Sequence, residues 1–175
     1  IQRLGRHHAL NVQRAARDAA RELDRPLHRL KLVVAHFGSG VSICTMHGSR
    51  VVDVNDAQLG EGPFSVARAG TLPIHGVMNL LAKANDPGLV KQRLARRSGM
   101  AAYTGTSDFR EIELRLEQGD AEAHAAYNAM IFQSAKYIAA YAGSLGRRPD
   151  AVVLTGGLVQ SRRFTTDITL RVEWI

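Results

Sequence analysis

The segment from Lys31 to Pro73 limits the fold more than any other part of the chain. Leu32 to Ala35 is a short apolar run, the pattern of a buried strand. It ends in His36-Phe37-Gly38-Ser39-Gly40, and a second strand-like run, Val41 to Met46, begins at once. His47-Gly48-Ser49 is a turn signal, and Arg50 to Val54 reads as a third strand. Gly38 and Gly40 therefore fall in a tight turn between two antiparallel strands. Glycine there permits positive φ and lets an anion approach the main chain, so the turn is a candidate phosphate cradle. A Gly-x-Gly turn is also ordinary hairpin chemistry. The chain lacks Gly-x-x-x-x-Gly-Lys-Ser/Thr and the third glycine and helix of a dinucleotide fingerprint. The weight falls on what accompanies the hairpin.

Residues 9 to 23 carry Ala, Leu and Val at helical intervals, closed by Arg25-Pro26. His7 and His8 stand just ahead, where paired histidines are ordinarily surface decoration. Asn55 to Pro73 is too long and too rich in Gly and Pro for a simple connection, which implies function or disorder. Short helices are predicted over His75 to Lys83 and Leu89 to Arg97. Asp108 with Glu111 forms an Asp-x-x-Glu capping box at another helix start. Gly119-Asp120 opens a long helix to about Leu145, whose stripe of Tyr127, Met130, Ile131, Ser134, Ile138, Tyr141, Ala142 and Leu145 is a core face. Ala151 to Leu154 reads as a buried strand. It runs into Thr155-Gly156-Gly157 and a helix, an arrangement that offers free N–H groups to an anion. The last segment, from Arg162, reads as helical.

A net charge of +7 points to an anionic partner, nucleotide or nucleic acid. Arg14, Arg17, Arg21 and Arg25 recur at helical spacing, but Asp18 and Glu22 lie among them, the mark of a solvated, salt-bridged face. No aromatic residues interleave, which argues against single-stranded nucleic acid. The lone Cys44 sits in a predicted strand as a small hydrophobe. It allows neither a disulfide framework nor a cysteine metal pair, and a reducing cytoplasm fits. No apolar run is long enough to span a bilayer, so no membrane partner is expected, and Ile1-Gln2-Arg3 does not start a signal peptide. The missing initiator Met and the apolar ending at Val172-Glu173-Trp174-Ile175 lead us to expect a fragment.

Two glycine turns, each at a strand end, with a long helix between them, suggest a cleft gripping a nucleotide from two sides. Antiparallel strands followed by a parallel one match, by analogy, an α/β ribonuclease-H-like lobe of the actin-like ATPase and sugar-kinase kind, with a mixed sheet flanked by helices. At this point the residues resemble the acetate and butyrate kinases, the acetokinase family. His36-Phe37-Gly38-Ser39-Gly40-Val41-Ser42 is similar to that family's His-Leu-Gly-[Gly/Asn]-Gly-x-Ser element. Ser107-Asp108-Phe109-Arg110-Glu111-Ile112-Glu113 resembles a second element and Leu154-Thr155-Gly156-Gly157 a third. Val52-Asp53-Val54-Asn55-Asp56-Ala57, Gly60-Glu61-Gly62-Pro63-Phe64-Ser65 and Arg68-Ala69-Gly70-Thr71-Leu72-Pro73 resemble the butyrate branch. The resemblance covers essentially residues 1–175, taken mainly as the nucleotide-binding lobe.

The resemblance implies ATP with Mg²⁺ as cofactor and transfer of a phosphoryl group to a short-chain carboxylate, butyrate or a branched analogue, giving an acyl phosphate. Gly38, Ser39 and Gly40 would cradle the phosphates with His36 close by. Asp108, Phe109 and Arg110 would contact the nucleoside, and Gly156 and Gly157 would pack beside the adenine. His8, in His8-Ala9-Leu10-Asn11, aligns with a histidine that steadies the phosphoryl group in flight. Gly70-Thr71 is followed by Leu72 rather than the arginine of acetate kinases, and Arg68 is the candidate replacement. The family's first lobe and its acidic C-terminal segment, which helps hold Mg²⁺, lie outside this chain. No metal ligand is assigned here, and the chain by itself is expected to be inactive. The full-length protein would be a homo-oligomer working on ATP or ADP and a carboxylate or acyl phosphate. A non-catalytic nucleotide-binding module or a degenerate fragment is the alternative.

Overall fold

The structure, a computed structural model, describes residues 5–175; Ile1-Gln2-Arg3, read above for a signal peptide, lies outside them. Its centre is a four-stranded sheet: β1 (Lys31–Phe37), β2 (Val41–His47), β3 (Arg50–Val54) and β4 (Ala151–Thr155), in the order β3-β2-β1-β4. β1 pairs antiparallel with β2, and β2 with β3, whereas β4 lies parallel to β1 with His36 opposite Thr155. The mixed sheet expected from the sequence is thus formed. A parallel pair needs a long crossover. Here it contains α2 (Ile74–Ala82), α3 (Pro87–Arg96), α4 (Ala101–Thr104), α5 (Phe109–Glu117) and α6 (Ala121–Gly143).

β1 reads as a continuous apolar run because both of its faces are covered. Leu32 and Val34 point to one side, where α1 (Ala9–Glu22) lays Val12, Ala15, Ala16 and Ala20 against them, together with Cys44 and Met46. Burial pushes the Cys44 thiol up to about 12, which leaves it an inert hydrophobe. Val33, Ala35 and Phe37 point to the other side and meet α6 and α7 (Arg162–Val172) through Met130, Ile131, Ile138, Phe164 and Ile168. Burying each such side chain contributes roughly 1.5–3 kcal/mol. α6 starts where Asp120 accepts the Glu122 and Ala123 N–H groups, both at 3.0 Å. The predicted α6 stripe is buried except for Leu145, which is half-buried.

Three local expectations are corrected. β4 is half-buried along its length, because it pairs with β1 on one side and ends the sheet among the described residues. The Thr155-Gly156-Gly157 segment does not open an α-helix. It leads into a 3-10 turn, Gly157–Gln160, and Ser161 then caps α7 by accepting the Phe164 N–H at 3.0 Å. At α5 the Asp108 carboxylate accepts the Arg110 N–H at 2.9 Å, one position earlier than a capping box requires.

The Asn55–Pro73 loop is ordered by the hairpin beside it. Asn55 accepts the Ile43 N–H at 2.7 Å and donates to the Val41 carbonyl at 2.9 Å. Ser65 donates its hydroxyl proton to the Ser39 carbonyl at 2.6 Å and accepts the Arg68 N–H at 3.0 Å. These bonds fold the loop back over the β1–β2 turn and carry Arg68 to it.

Candidate active site

The β1–β2 connection holds only Gly38, Ser39 and Gly40, with Phe37 opposite Val41. The Gly38 N–H donates to the Gly40 carbonyl at 3.0 Å, so that donor is used inside the turn. Neither glycine has positive φ, contrary to the sequence expectation. The need for glycine at 40 is spatial. A Cβ there would overlap the Arg68 guanidinium and lie 2.9 Å from the Ala57 carbonyl. Arg68 is fixed across the turn, its Nη1 donating to the Ala57 carbonyl at 2.7 Å.

His36 is the penultimate residue of β1, and Ser42 lies opposite it on β2. His8, at the start of α1, comes over this pair. Its Nδ1 is 2.8 Å from Ser42 Oγ, and its ring centroid is 4.1 Å from that of His36, with the planes tilted by 33°. His36 is 7% exposed, and its Nδ1 has no hydrogen-bond partner among the described residues. Burial, with the neighbouring His8, pulls the His36 imidazole down to about 4. Burial first, then the charges of Arg68 and His7, hold His8 below the ordinary imidazole value. Desolvation and nearby positive charge both disfavour an imidazolium. At neutral pH the centre therefore combines two neutral imidazoles with one guanidinium.

The second glycine turn abuts the first. Gly156 has φ +101°, and a Cβ there would collide with the Phe37 carbonyl oxygen and lie 2.7 Å from its carbon. Gly157 faces open space. His36, Thr155, Gly156 and Gly157 line one end of a cleft of about 710 Å³, with Asn11 and Arg14 of α1 on its other wall. Asp108, Phe109 and Arg110 stand further off, at the start of α5. A line of rings joins the two places: Phe37 to Phe164 at 4.9 Å, then Phe164 to Phe109 at 5.9 Å. Phe109 is half-buried in that core, and the Arg110 side chain is exposed. The Ser161 hydroxyl donates to the Glu113 carboxylate, which ties α5 to the segment following Gly157.

The structure thus brings His8, His36, Gly38, Ser39, Gly40 and Arg68 together, with Gly156 and Gly157 beside them. It adds Ser42, Ser65 and the Ala57 carbonyl, none of which was assigned a role from sequence. Ser42 closes the His-x-Gly-x-Gly-x-Ser element and was visible there. Ser65 and Ala57 act through the loop's path, which local patterns do not encode.

Residues 1–171 match the Acetokinase family. The chain is 39% identical over 173 residues to a probable butyrate kinase of Listeria monocytogenes, covering 96% of this chain and 48% of that protein. It is 36% identical over 174 residues to a probable butyrate kinase of Thermotoga petrophila, covering 99% of this chain and 48% of that one. The crystal structure of Porphyromonas gingivalis acetate kinase superposes with a TM-score of 0.87 at 25% identity, over 99% of this chain and 44% of that one. The chain spans about half the length of the curated relatives it matches. The chain belongs to the acetokinase family.

Proposed function

We propose that this chain supplies the nucleotide- and phosphoryl-handling lobe of a kinase that transfers the γ-phosphoryl group of ATP to the carboxylate of a short-chain fatty acid. Butyrate or a branched analogue is the acceptor, and the product is an acyl phosphate. The observation that carries this reading is the convergence of Arg68 and the neutral His8–His36 pair on the Gly38–Gly40 turn, built into a chain 39% identical to a probable butyrate kinase.

Phosphoryl transfer asks the protein mainly for positioning and for donors aimed at the equatorial oxygens. Arg68 offers a fixed cation, pre-placed by its bond to the Ala57 carbonyl. His8 offers an N–H donor that carries no charge of its own at neutral pH. In this reading the turn and Arg68 hold the phosphates, while Gly157 leaves open space for the nucleoside. Phe109 belongs to the core, so Asp108 and Arg110 would make the contacts from α5. The residues fit the phosphate groups of ATP. Among the described residues no three His, Cys, Asp or Glu side chains gather where a metal could be held, so no step is assigned to protein-held Mg²⁺. No helix of the described residues is long and apolar enough to cross a membrane. The proposed setting is the cytoplasm, with a homo-oligomer of the full-length protein as the working form.

The test uses the full-length protein that contains this chain. With Mg·ATP and butyrate, acyl phosphate trapped by hydroxylamine is expected, and Arg68→Ala should lower kcat by about 10²–10³-fold. The 175-residue chain assayed alone should give none. A full-length protein that forms no acyl hydroxamate from butyrate, isobutyrate or propionate would refute the kinase reading. If it still bound Mg·ATP, a non-catalytic nucleotide-binding module would take its place.

A further inference from the structure

Ser42 has two contacts with one residue. Its Oγ lies 3.3 Å from the His8 backbone nitrogen, which donates to it, and 2.8 Å from His8 Nδ1. Ser42 is fully buried in β2, and its hydroxyl makes no other hydrogen bond among the described residues. A hydroxyl has one hydrogen and two lone pairs. The backbone N–H takes up a lone pair, and the hydrogen is left to serve the ring nitrogen.

We infer that Ser42 is a positioning residue that donates its hydroxyl proton to His8 Nδ1 and so fixes His8 as the neutral tautomer protonated at Nε2. The other tautomer would put two N–H donors on one hydroxyl oxygen and leave the Ser42 hydrogen buried without an acceptor, at a cost of the order of a lost hydrogen bond. The role of a ring nitrogen is set by the bond the other one makes. Here the His36 ring covers one face of His8 while Ser42 occupies Nδ1, so the remaining donor, Nε2–H, is the group His8 can present to a ligand. His8 thereby becomes a directed neutral donor beside Arg68.

The structural half of this inference stands apart from the kinase reading; its effect on turnover rests on that reading. Long-range ¹H–¹⁵N correlation spectra of the imidazole nitrogens, recorded on the full chain near pH 7, report the tautomer directly. His8→Gln identifies the His8 signals among the seven histidines. The wild type should show one tautomer, with Nε2 protonated, and Ser42→Thr should keep it. Ser42→Ala should bring in the Nδ1-protonated form. A wild-type His8 protonated at Nδ1 would overturn the inference whether or not the alanine variant folds, and so would an unchanged spectrum in a folded Ser42→Ala chain. In the full-length protein, Ser42→Ala should lower kcat about tenfold, less than outright removal of a transition-state donor, with KM for ATP held within about twofold and Thr restoring the rate. The locked tautomer in a protein that makes no acyl phosphate would sink the kinase reading alone.

Discussion

Acidification should destabilise this fold through His36 as pH falls below the ordinary imidazole value. The ring is 7% exposed, stacks on His8, and lies at the end of the sheet that carries Arg68 across its turn. Its value falls from 6.5 in the unfolded chain to about 4 in the folded one. A folded value below the unfolded one means that the unfolded chain binds the proton more tightly. The associated stability is therefore complete above pH 6.5 and is lost as pH falls through 4. For these two values linkage gives a loss of about 2 kcal/mol between neutral pH and about pH 4.5, a large share of the ~5–15 kcal/mol that holds a typical domain. Urea unfolding of the chain at a series of pH values, beside His36→Gln, measures it. His8 is also held low and contributes to the slope in both proteins, so the difference between the two curves reports His36 together with its coupling to His8. Asp120 and Asp150 are held below 3.8 by backbone hydrogen bonds and by arginines, and their contribution is lost only at lower pH. The wild type should lose about 2 kcal/mol more than the variant between pH 7.5 and 4.5. Parallel curves would refute the reasoning, because they would show that His36 accepts its proton as easily in the fold as out of it.

Three glycine substitutions separate space from contact. Gly40→Ala places a methyl where the Arg68 guanidinium lies, so a destabilisation of about 1–3 kcal/mol is expected from the forced shift. Mg·ATP affinity measured by titration calorimetry should fall with it, and full affinity would show that Arg68 is not needed at the turn. Gly157→Val meets open space and should leave the unfolding midpoint in place while weakening Mg·ATP binding. Gly156→Ala, at φ +101° and against the Phe37 carbonyl, should destabilise by more than about 2 kcal/mol. Equal effects of the 156 and 157 changes on thermal unfolding would contradict this assignment.

The sheet was legible because its strands announce themselves. β1 is apolar on both faces, and the turns at Gly38–Gly40 and Gly48 punctuate the hairpins. The α6 stripe was equally clear, since a 23-residue helix repeats its pattern often enough to be read. β4 was harder. Its apolar run has the composition of a central strand, and only the strand order shows that one edge has no partner among the described residues. The Gly38–Gly40 turn was placed correctly but for an incomplete reason. Local logic attributes glycine to φ, whereas the constraint at 40 comes from Arg68, 28 positions away, delivered by a loop whose path depends on Asn55 and Ser65.

His8 shows the same limit from the opposite side. As a residue in a pair of histidines ahead of a helix it carries almost no signal, and a family motif alone raised it to a candidate. Its chemistry comes from three neighbours contributed by two strands and a loop: the His36 ring, the Ser42 hydroxyl and the Arg68 charge. Each pushes in the same direction. Stacking and burial remove water from the imidazole, Arg68 opposes its protonation, and Ser42 occupies one ring nitrogen. A cationic histidine would already be hydrated or paired, and would add a second charge beside Arg68. A neutral one, half-buried and oriented, costs little to keep in place and has a single N–H to offer. An anion arriving at the turn would supply an acceptor for this N–H, which has none among the described residues, so in the proposed reading the site is organised before its ligand reaches it.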